Sequence, residues 1–150
     1  MMNWEVKHYN ELSLDEFHDL IQLRVEVFVV EQDCPYQDID GKDKVSHHLI
    51  GTLDGKIAAT SRILPPGVSY DEVAIGRVVM AQSARGKGYA HDMMNASKDF
   101  VKKTFGNVPI RLSAQKYLEG YYGSHAFKST GKEYLEDGIP HVEMLFHPDI

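Results

Sequence analysis

The sequence has few of the residues that mark secreted and membrane proteins. Cys34 is the one cysteine among 150 residues, so the chain cannot form an internal disulfide, and a disulfide-stabilised secreted domain is excluded. No apolar run approaches the ~20 residues that a membrane-spanning helix needs. The first ten residues also lack the apolar segment of a secretory signal. We therefore expect a cytoplasmic protein without a membrane partner.

Basic residues are outnumbered by acidic ones. Lys and Arg total 16 against 22 Asp and Glu, which gives a formal net charge of −6 and a pI near 5.7. General nucleic-acid binding needs a broad basic face, which this balance does not favour. We expect no nucleic-acid partner, although a local basic pocket for a small anion remains compatible with the composition.

Metal-binding patterns are incomplete as well. Asp38, Asp40 and Gly41 stand at the third, fifth and sixth places of an EF-hand loop. Its first and twelfth places, which require carboxylates, hold Tyr36 and His47. We therefore expect no metal cofactor.

The pattern that is present is that of one mixed α/β domain spanning residues 1–150. Strand-like segments are Asn3–Tyr9, His48–Leu53, Lys56–Leu64, Val73–Met80, Val108–Ala114, Ala126–Tyr134 and Ile139–Phe146. Helical spacing is found over Leu14–Val30, from the glycine turn near 88 to about Thr104, and over Tyr117–His125. A polar loop is predicted over Gln32–Val45. The resulting order is β-α-β-β-β-α-β-α-β-β.

The segment Ile75–Ala90 carries the clearest functional signal. An apolar strand runs into a glycine-rich turn, and an amphipathic helix follows. Unpaired N–H groups and the helix dipole at such a turn, together with Arg85 and Lys87, form a receptor for a phosphate or diphosphate. A Walker loop is excluded because no Lys-Ser or Lys-Thr follows the glycines. The dinucleotide fingerprint is excluded because its glycine spacing is not met.

The pattern Arg85, Gly88 and Ala90 after a strand resembles motif A of the GNAT superfamily of N-acetyltransferases. The element order of that family matches nearly the whole chain. The segments that resemble its ElaA-like group are Ile21–Asp43, Ala59–Leu64, Ile75–Met80 and Glu136–Met144. The resemblance implies the α/β GNAT acyl-CoA N-acyltransferase fold: a mixed central sheet of about six or seven strands, flanked by helices and splayed between the fourth and fifth strands.

The resemblance also implies a cofactor site for acetyl-CoA, used as the acyl donor. Backbone groups of Val78, Val79 and Met80 would hold the pantetheine arm and the acetyl oxygen; otherwise this is simply a core strand. The diphosphate would lie on the turn residues Arg85, Gly86, Lys87, Gly88, Tyr89 and Ala90. The alternative for the turn is an ordinary helix start.

Tyr122 stands at the family's general-acid position, five residues before Phe127. A phenol there can give its proton to the leaving thiolate. The alternative is an aromatic packing residue. Tyr121 is the neighbour most easily confused with it, but two successive helical residues point about 100° apart, so only one faces the sulfur.

The general base has two candidates. His141 is the first, because related acetyltransferases place a catalytic His in a similar segment; the alternative is a structural strand His. Glu31, at the end of the first helix, is the second, with an exposed carboxylate as its alternative. Arg77 and Gln115 are candidate substrate-binding residues. Arg77 would bind a substrate carboxylate or phosphonate, and the alternative is a structural ion pair. Gln115 would form a hydrogen bond to the substrate, and the alternative is that it caps the loop.

The sequence thus predicts an acetyl-CoA-dependent N-acetyltransferase that moves an acetyl group to a primary amine by direct attack in a ternary complex. The acceptor is a small-molecule or peptide amine, and the protein is a monomer or a homodimer. Two other functions stay open: a catalytically weak coenzyme A-binding sensor or interaction module of the same fold, and a general nucleotide-phosphate binder.

Overall fold

The computed structural model of the protein describes residues 1–148, and within them seven strands form one sheet in the order β1-β2-β3-β4-β5-β7-β6. The strands are β1 (Asn3–His8), β2 (His47–Leu53), β3 (Lys56–Leu64), β4 (Val73–Met80), β5 (Ile110–Gln115), β6 (Phe127–Glu136) and β7 (Ile139–Phe146). Neighbouring strands are antiparallel except β4 and β5, which are parallel. The predicted mixed sheet is confirmed.

Three α-helices flank this sheet in the described residues: α1 (Leu14–Arg24), α2 (Tyr89–Phe105) and α3 (Glu119–Gly123). Ser13 caps α1, accepting the N–H of Glu16 at 3.0 Å, while the Glu16 carboxylate accepts the N–H of Ser13 at 2.9 Å. None of the helices within residues 1–148 is long and apolar enough to cross a membrane.

The first predicted helix, Leu14–Val30, changes form partway along. After α1 the chain continues as a π-helical segment over Val25–Glu31. Such wide turns are rare and are frequent at functional sites. Here the segment brings Val27, Phe28 and Glu31 to the wall of the central cavity.

The sheet opens between β4 and β5. These strands pair only at their beginnings, Val73 with Ile110 and Ala74 with Arg111. β5 then pairs with β7 over its whole length. The predicted splay is therefore confirmed, and β4 from Ile75 onward has main-chain groups without a ladder partner on its β5 side.

A bulge in β4 lies beside this opening. Arg62 pairs with Gly76 and Thr60 with Val79, so one residue of β3 lies opposite two residues of β4. Arg77 within the bulge has a φ of +46°, a left-handed conformation that is costly for a side chain with a Cβ. Bulges of this kind bend a strand and redirect its groups.

The core lies on both faces of the sheet. One cluster packs α2 and α3 against the centre of the sheet through Met94, Val101, Leu112 and Phe127. A smaller cluster joins Leu23 and neighbouring apolar residues of the first helix to β4. The helices of both clusters therefore pack around the opening between β4 and β5. The cavity described next lies between them.

Candidate active site

A cavity of about 500 Å³ occupies the opening between β4 and β5. It joins five parts of the chain: the π-helical segment, the loop after it, β4 with its glycine turn, α3, and the turn between β6 and β7. Of the described residues, no group of three or more His, Cys, Asp or Glu is placed to hold a metal ion.

The wall formed by β4 presents main-chain groups to the cavity. Ala81 donates its N–H to the Ala58 carbonyl of β3 at 2.7 Å. Because successive residues of a strand alternate in direction, the main-chain groups of Val78 and Met80 turn toward the opening. The Met80 carbonyl confirms this direction, since it accepts a hydrogen bond from Arg85 Nε at 3.1 Å. Val79 lines the cavity between them.

The glycine turn has the backbone shape of an anion site. Gly86 and Gly88 have φ values of +78° and +82°, and Gly88 is the N-cap of α2. A Cβ on either glycine would meet no atom within 4 Å, so both face open space. Free N–H groups at the start of a 17-residue helix attract a phosphate. The residues present therefore fit the diphosphate of coenzyme A.

The turn residues differ in their position relative to the cavity. Those that line it are Arg85, Gly86, Gly88 and Ala90, whereas Lys87 and Tyr89 lie outside its lining. Lys87 is exposed and can still attract an anion from solvent.

Arg85 and Glu31 form a two-armed ion pair at the mouth of the cavity. Arg85 Nη1 lies 2.7 Å from one Glu31 oxygen and Nη2 lies 2.9 Å from the other. The hydrogen bonds from Arg85 lower the pKa of Glu31 below its ordinary value. The Glu31 carboxylate thus occupies the Arg85 guanidinium that the diphosphate would need. Glu31 is also a weaker base as long as this ion pair is formed.

Tyr122 lies on α3 with 5% of its surface exposed and lines the cavity. Its ring packs edge-on against Phe127 at 6.0 Å between centroids. Burial, with smaller contributions from Tyr121 and Tyr117, raises the pKa of Tyr122. The phenol is therefore protonated at neutral pH and has a proton to give.

Tyr121 faces the same cavity but its hydroxyl has a partner. It donates a 2.6 Å hydrogen bond to the Ala90 carbonyl in the first turn of α2. Tyr121 therefore links α3 to the glycine turn, whereas no hydrogen bond engages the hydroxyl of Tyr122 among residues 1–148.

His141 lies on β7, opposite Gln115 of β5, and is 7% exposed. Its Nδ1 is 2.7 Å from the Ile139 carbonyl and donates to it, which leaves Nε2 as the free acceptor of the neutral ring. Nε2 lies 3.4 Å from a carboxylate oxygen of Glu136. The Glu136 carboxylate thus lies beside the free ring nitrogen of His141.

The two candidate substrate-binding residues are both engaged by other side chains. The amides of Gln115 and Gln32 hydrogen-bond each other at 3.2 Å. Arg77 Nε lies 2.8 Å from a carboxylate oxygen of Asp38, and Arg77 Nη2 donates to the Asp38 carbonyl at 3.0 Å. The Arg77 guanidinium also lies over the ring of Tyr36, 5.7 Å from its centroid.

The sequence analysis missed a buried ion network beside the cavity. Arg24, 1% exposed, contacts Asp38 and Asp43 at 2.8 Å each. Arg62 contacts Asp40 at 2.6 Å and Asp43 at 3.1 Å. A sequence feature does indicate this network, because an arginine inside an apolar helix or strand requires a buried acid. The loop aspartates, which were tested above only as calcium ligands, are those acids.

Glu136 was also missed. It precedes the Asp137-Gly138 turn of the β6–β7 hairpin and pairs with Ile139 across it. Its proximity to His141 depends on the register of that hairpin, which the sequence indicates only through the turn residues.

Comparison with known proteins agrees with this geometry. The family model described as "Acetyltransferase (GNAT) domain" matches residues 8–147. The protein ElaA of Escherichia coli strain K12 is 38% identical over 146 residues, covering 96% of this chain and 95% of that protein.

Solved structures agree as well. The crystal structure of an acyl-CoA N-acyltransferase from Pseudomonas aeruginosa is 43% identical with a TM-score of 0.92, and the match covers 97% of this chain and 99% of that one. The crystal structure of Escherichia coli ElaA also gives a TM-score of 0.92 at 36% identity, covering 98% and 100%. The chain therefore belongs to the GNAT family of acetyltransferases, within its ElaA-like group, and is an acyltransferase.

Proposed function

We propose that the protein transfers the acetyl group of acetyl-CoA to a primary amine by direct attack in a ternary complex. One observation supports this most strongly: a single cavity runs from the glycine turn of α2, along the unpaired edge of β4, to His141. A donor and an acceptor bound at its two ends would meet beside β4.

The donor site consists of two parts. The turn residues that would hold the diphosphate are Arg85, Gly86, Lys87, Gly88, Tyr89 and Ala90. The main-chain groups that would hold the pantetheine arm and acyl oxygen belong to Val78 and Met80, while Val79 lines the same wall with its main chain directed to β3. When bound, acetyl-CoA supplies the thioester. Arg85 would then exchange the Glu31 carboxylate for the diphosphate, because both are anions that suit the same guanidinium fork.

Proton transfers are assigned to the buried groups around the cavity. His141 Nε2 takes a proton from the ammonium of the acceptor, with Glu31, once released from Arg85, as the second candidate. The freed amine nitrogen would form the new C–N bond while the C–S bond breaks, and Tyr122 would give its proton to the sulfur. The second proton that the nitrogen loses on becoming an amide would restore the Tyr122 hydroxyl through solvent. Strand N–H groups stabilise the negative charge that develops on the acyl oxygen.

The proposal extends to the setting of the reaction. The acceptor is a small-molecule or peptide amine, residues 1–150 act as one domain, and the protein works in the cytoplasm as a monomer or a homodimer. The acidic surface and the single cysteine are the observations that support this setting.

The test is a thiol-release assay with acetyl-CoA over a panel of primary amines, with mass spectrometry of the products. We expect free thiol and acetylated amine in equal amounts. Coenzyme binding without acetylated product for any amine would favour the sensor function instead, and displacement by ATP as readily as by coenzyme A would favour a general nucleotide-phosphate binder.

A further inference from the structure

The charges at the acceptor end of the cavity restrict what can bind there. Among the described residues that line the cavity, the permanently cationic side chains are Arg77 and Arg85. Arg85 is paired with Glu31 at the donor end. Whether the acceptor end can hold an anion therefore depends on Arg77.

The positive charge of Arg77 is already paired with aspartate carboxylates. Arg77 belongs to the ion network in which three arginines (Arg24, Arg62 and Arg77) meet three aspartates (Asp38, Asp40 and Asp43). A substrate carboxylate would have to compete with Asp38 for the Arg77 guanidinium, and full capture would displace Asp38. Because Asp38 is 3% exposed and also pairs with the buried Arg24, that displacement would leave buried charges unpaired.

The opposite wall carries a negative charge instead. The carboxylate of Glu136 is about half exposed, and the one basic side chain within ion-pair distance of it among residues 1–148 is His141, at 3.4 Å. Cys34 Sγ lies 3.6 Å from the Asp137 carbonyl and brings the loop after the π-helical segment against this turn. The acceptor end is thus partly closed, with an acid and the free Nε2 of His141 beside each other.

The remaining lining favours an apolar body. Phe28 and Tyr36 line the cavity together with Ile139. Aromatic and aliphatic walls around one or two hydrogen-bond acceptors suit an amine with a hydrocarbon or aryl chain.

From these contacts we infer that the acceptor is a cationic alkyl or arylalkyl amine without a carboxylate or phosphate near the reacting nitrogen, and that Glu136 draws its ammonium group to His141. This inference rests on the proposed function. An α-amino acid is disfavoured because its carboxylate would face Glu136 with no free cation to pair with.

The experiment compares amines with the amino acids that differ from them by one carboxylate: tyramine with tyrosine, and phenethylamine with phenylalanine. Each is assayed for kcat/KM with acetyl-CoA by thiol release and product mass. We expect the amine of each pair to have a kcat/KM about ten-fold or more above that of the amino acid, since unpaired polar groups and like charges discriminate strongly. Equal values, or a preference for the amino acids, would overturn the inference while leaving the proposed function intact.

Two variants test the role of Glu136. Glu136→Gln should lower kcat/KM for the amines about ten-fold, mainly through KM, and should leave acetyl-CoA affinity unchanged. Glu136→Lys should narrow or reverse the preference within each pair. Glu133→Gln is the matched control, because Glu133 lies on the same strand but pairs with Lys116 outside the cavity lining.

The outcomes are distinguishable. If Glu136→Gln behaves like Glu133→Gln, Glu136 is not the residue that selects the amine, and that part of the inference fails. If the protein binds acetyl-CoA but acetylates no amine or amino acid, both the inference and the proposed function fail.

Discussion

Two adjacent tyrosines on α3 have different partners, and this difference supports the proposed role of Tyr122. The Tyr121 hydroxyl is committed to the Ala90 carbonyl, while the hydroxyl of Tyr122 borders the cavity in a buried setting that keeps it protonated. A hydroxyl that already donates a hydrogen bond must break it before it can give its proton to a leaving group, whereas the Tyr122 hydroxyl has no such bond to break.

Tyr122→Phe should therefore lower kcat by roughly ten- to a thousand-fold with little change in acetyl-CoA affinity. Tyr121→Phe is the control: it should cost about 1 kcal/mol of folding stability for the lost hydrogen bond and affect kcat far less. Steady-state kinetics and calorimetry measure both. A larger loss of kcat in the Tyr121 variant would reverse the assignment.

His141 and Glu31, the two candidate bases, are separated by pH dependence. Because Arg85 holds the pKa of Glu31 below its ordinary value, the Glu31 carboxylate is already ionised well below neutral pH and does not change its charge there. His141→Gln should remove the acidic limb of the kcat/KM profile, and Glu31→Gln should keep it. A limb that survives in the His141 variant and disappears in the Glu31 variant would exchange their roles.

At the scale of elements, the two ends of α2 offer a matched pair of glycines. Gly88 starts the helix with φ +82° and Gly106 ends it with φ +89°, and added Cβ atoms meet nothing at either position. Gly88→Ala should cost about 1 kcal/mol of stability, and Gly106→Ala about 2–3 kcal/mol, because its ψ of −166° lies in a region that only glycine readily adopts. Only Gly88→Ala should weaken acetyl-CoA binding, by about ten-fold, because its Cβ projects where a phosphate would approach. Equal affinities by calorimetry would remove the turn from the donor site.

The loop before β2 and the bulge in β4 are joined by Asp38, which contacts both Arg24 and Arg77. Asp38→Asn should reduce the free energy of unfolding by about 3 kcal/mol, because two arginines lose a buried counter-charge. Glu5→Gln, which removes an exposed partner of Lys7, should change it by less than about 0.5 kcal/mol. Urea denaturation compares them, and similar midpoints would show that the network does not stabilise the fold.

Different features of these elements were predictable to different degrees. The strand, turn and helix around Gly88 follow from the local sequence. The separation of β4 and β5 was predictable from the family resemblance. The π-helical segment, the bulge at Arg77 and the Arg85–Glu31 pair did not. They depend on contacts between distant residues, 54 positions apart for Arg85 and Glu31, and no local pattern encodes such contacts.

At the scale of the whole molecule, buried titratable groups make stability depend on pH. His48 is fully buried with Nε2 3.0 Å from the Asp43 carbonyl, and burial, with Arg24 and Arg62 nearby, lowers its pKa from 6.5. Burial alone would raise the pKa of Asp43, but its hydrogen bonds and charge pairing with Arg24 and Arg62 outweigh burial and lower it.

Both shifts destabilise the fold in acid. Below about pH 6.5 the unfolded chain binds a proton at His48 that the folded protein rejects, so the free energy of unfolding falls as pH drops. Asp43 adds a further loss below its ordinary value of 3.8. Urea midpoints should fall between pH 7.5 and 5.5, and less so in His48→Gln. An equal fall in both proteins would show that His48 is not responsible.

The central claim is that the glycine turn and the unpaired edge of β4 together hold the acyl donor. Amide hydrogen exchange with and without acetyl-CoA tests it most directly. Bound acetyl-CoA should bring new protection at Val78, Met80 and residues 86–90, with no change at Val73 and Ala74, where β4 is already paired with β5. Unchanged exchange in both segments at saturating acetyl-CoA, or protection confined to another part of the chain, would contradict it.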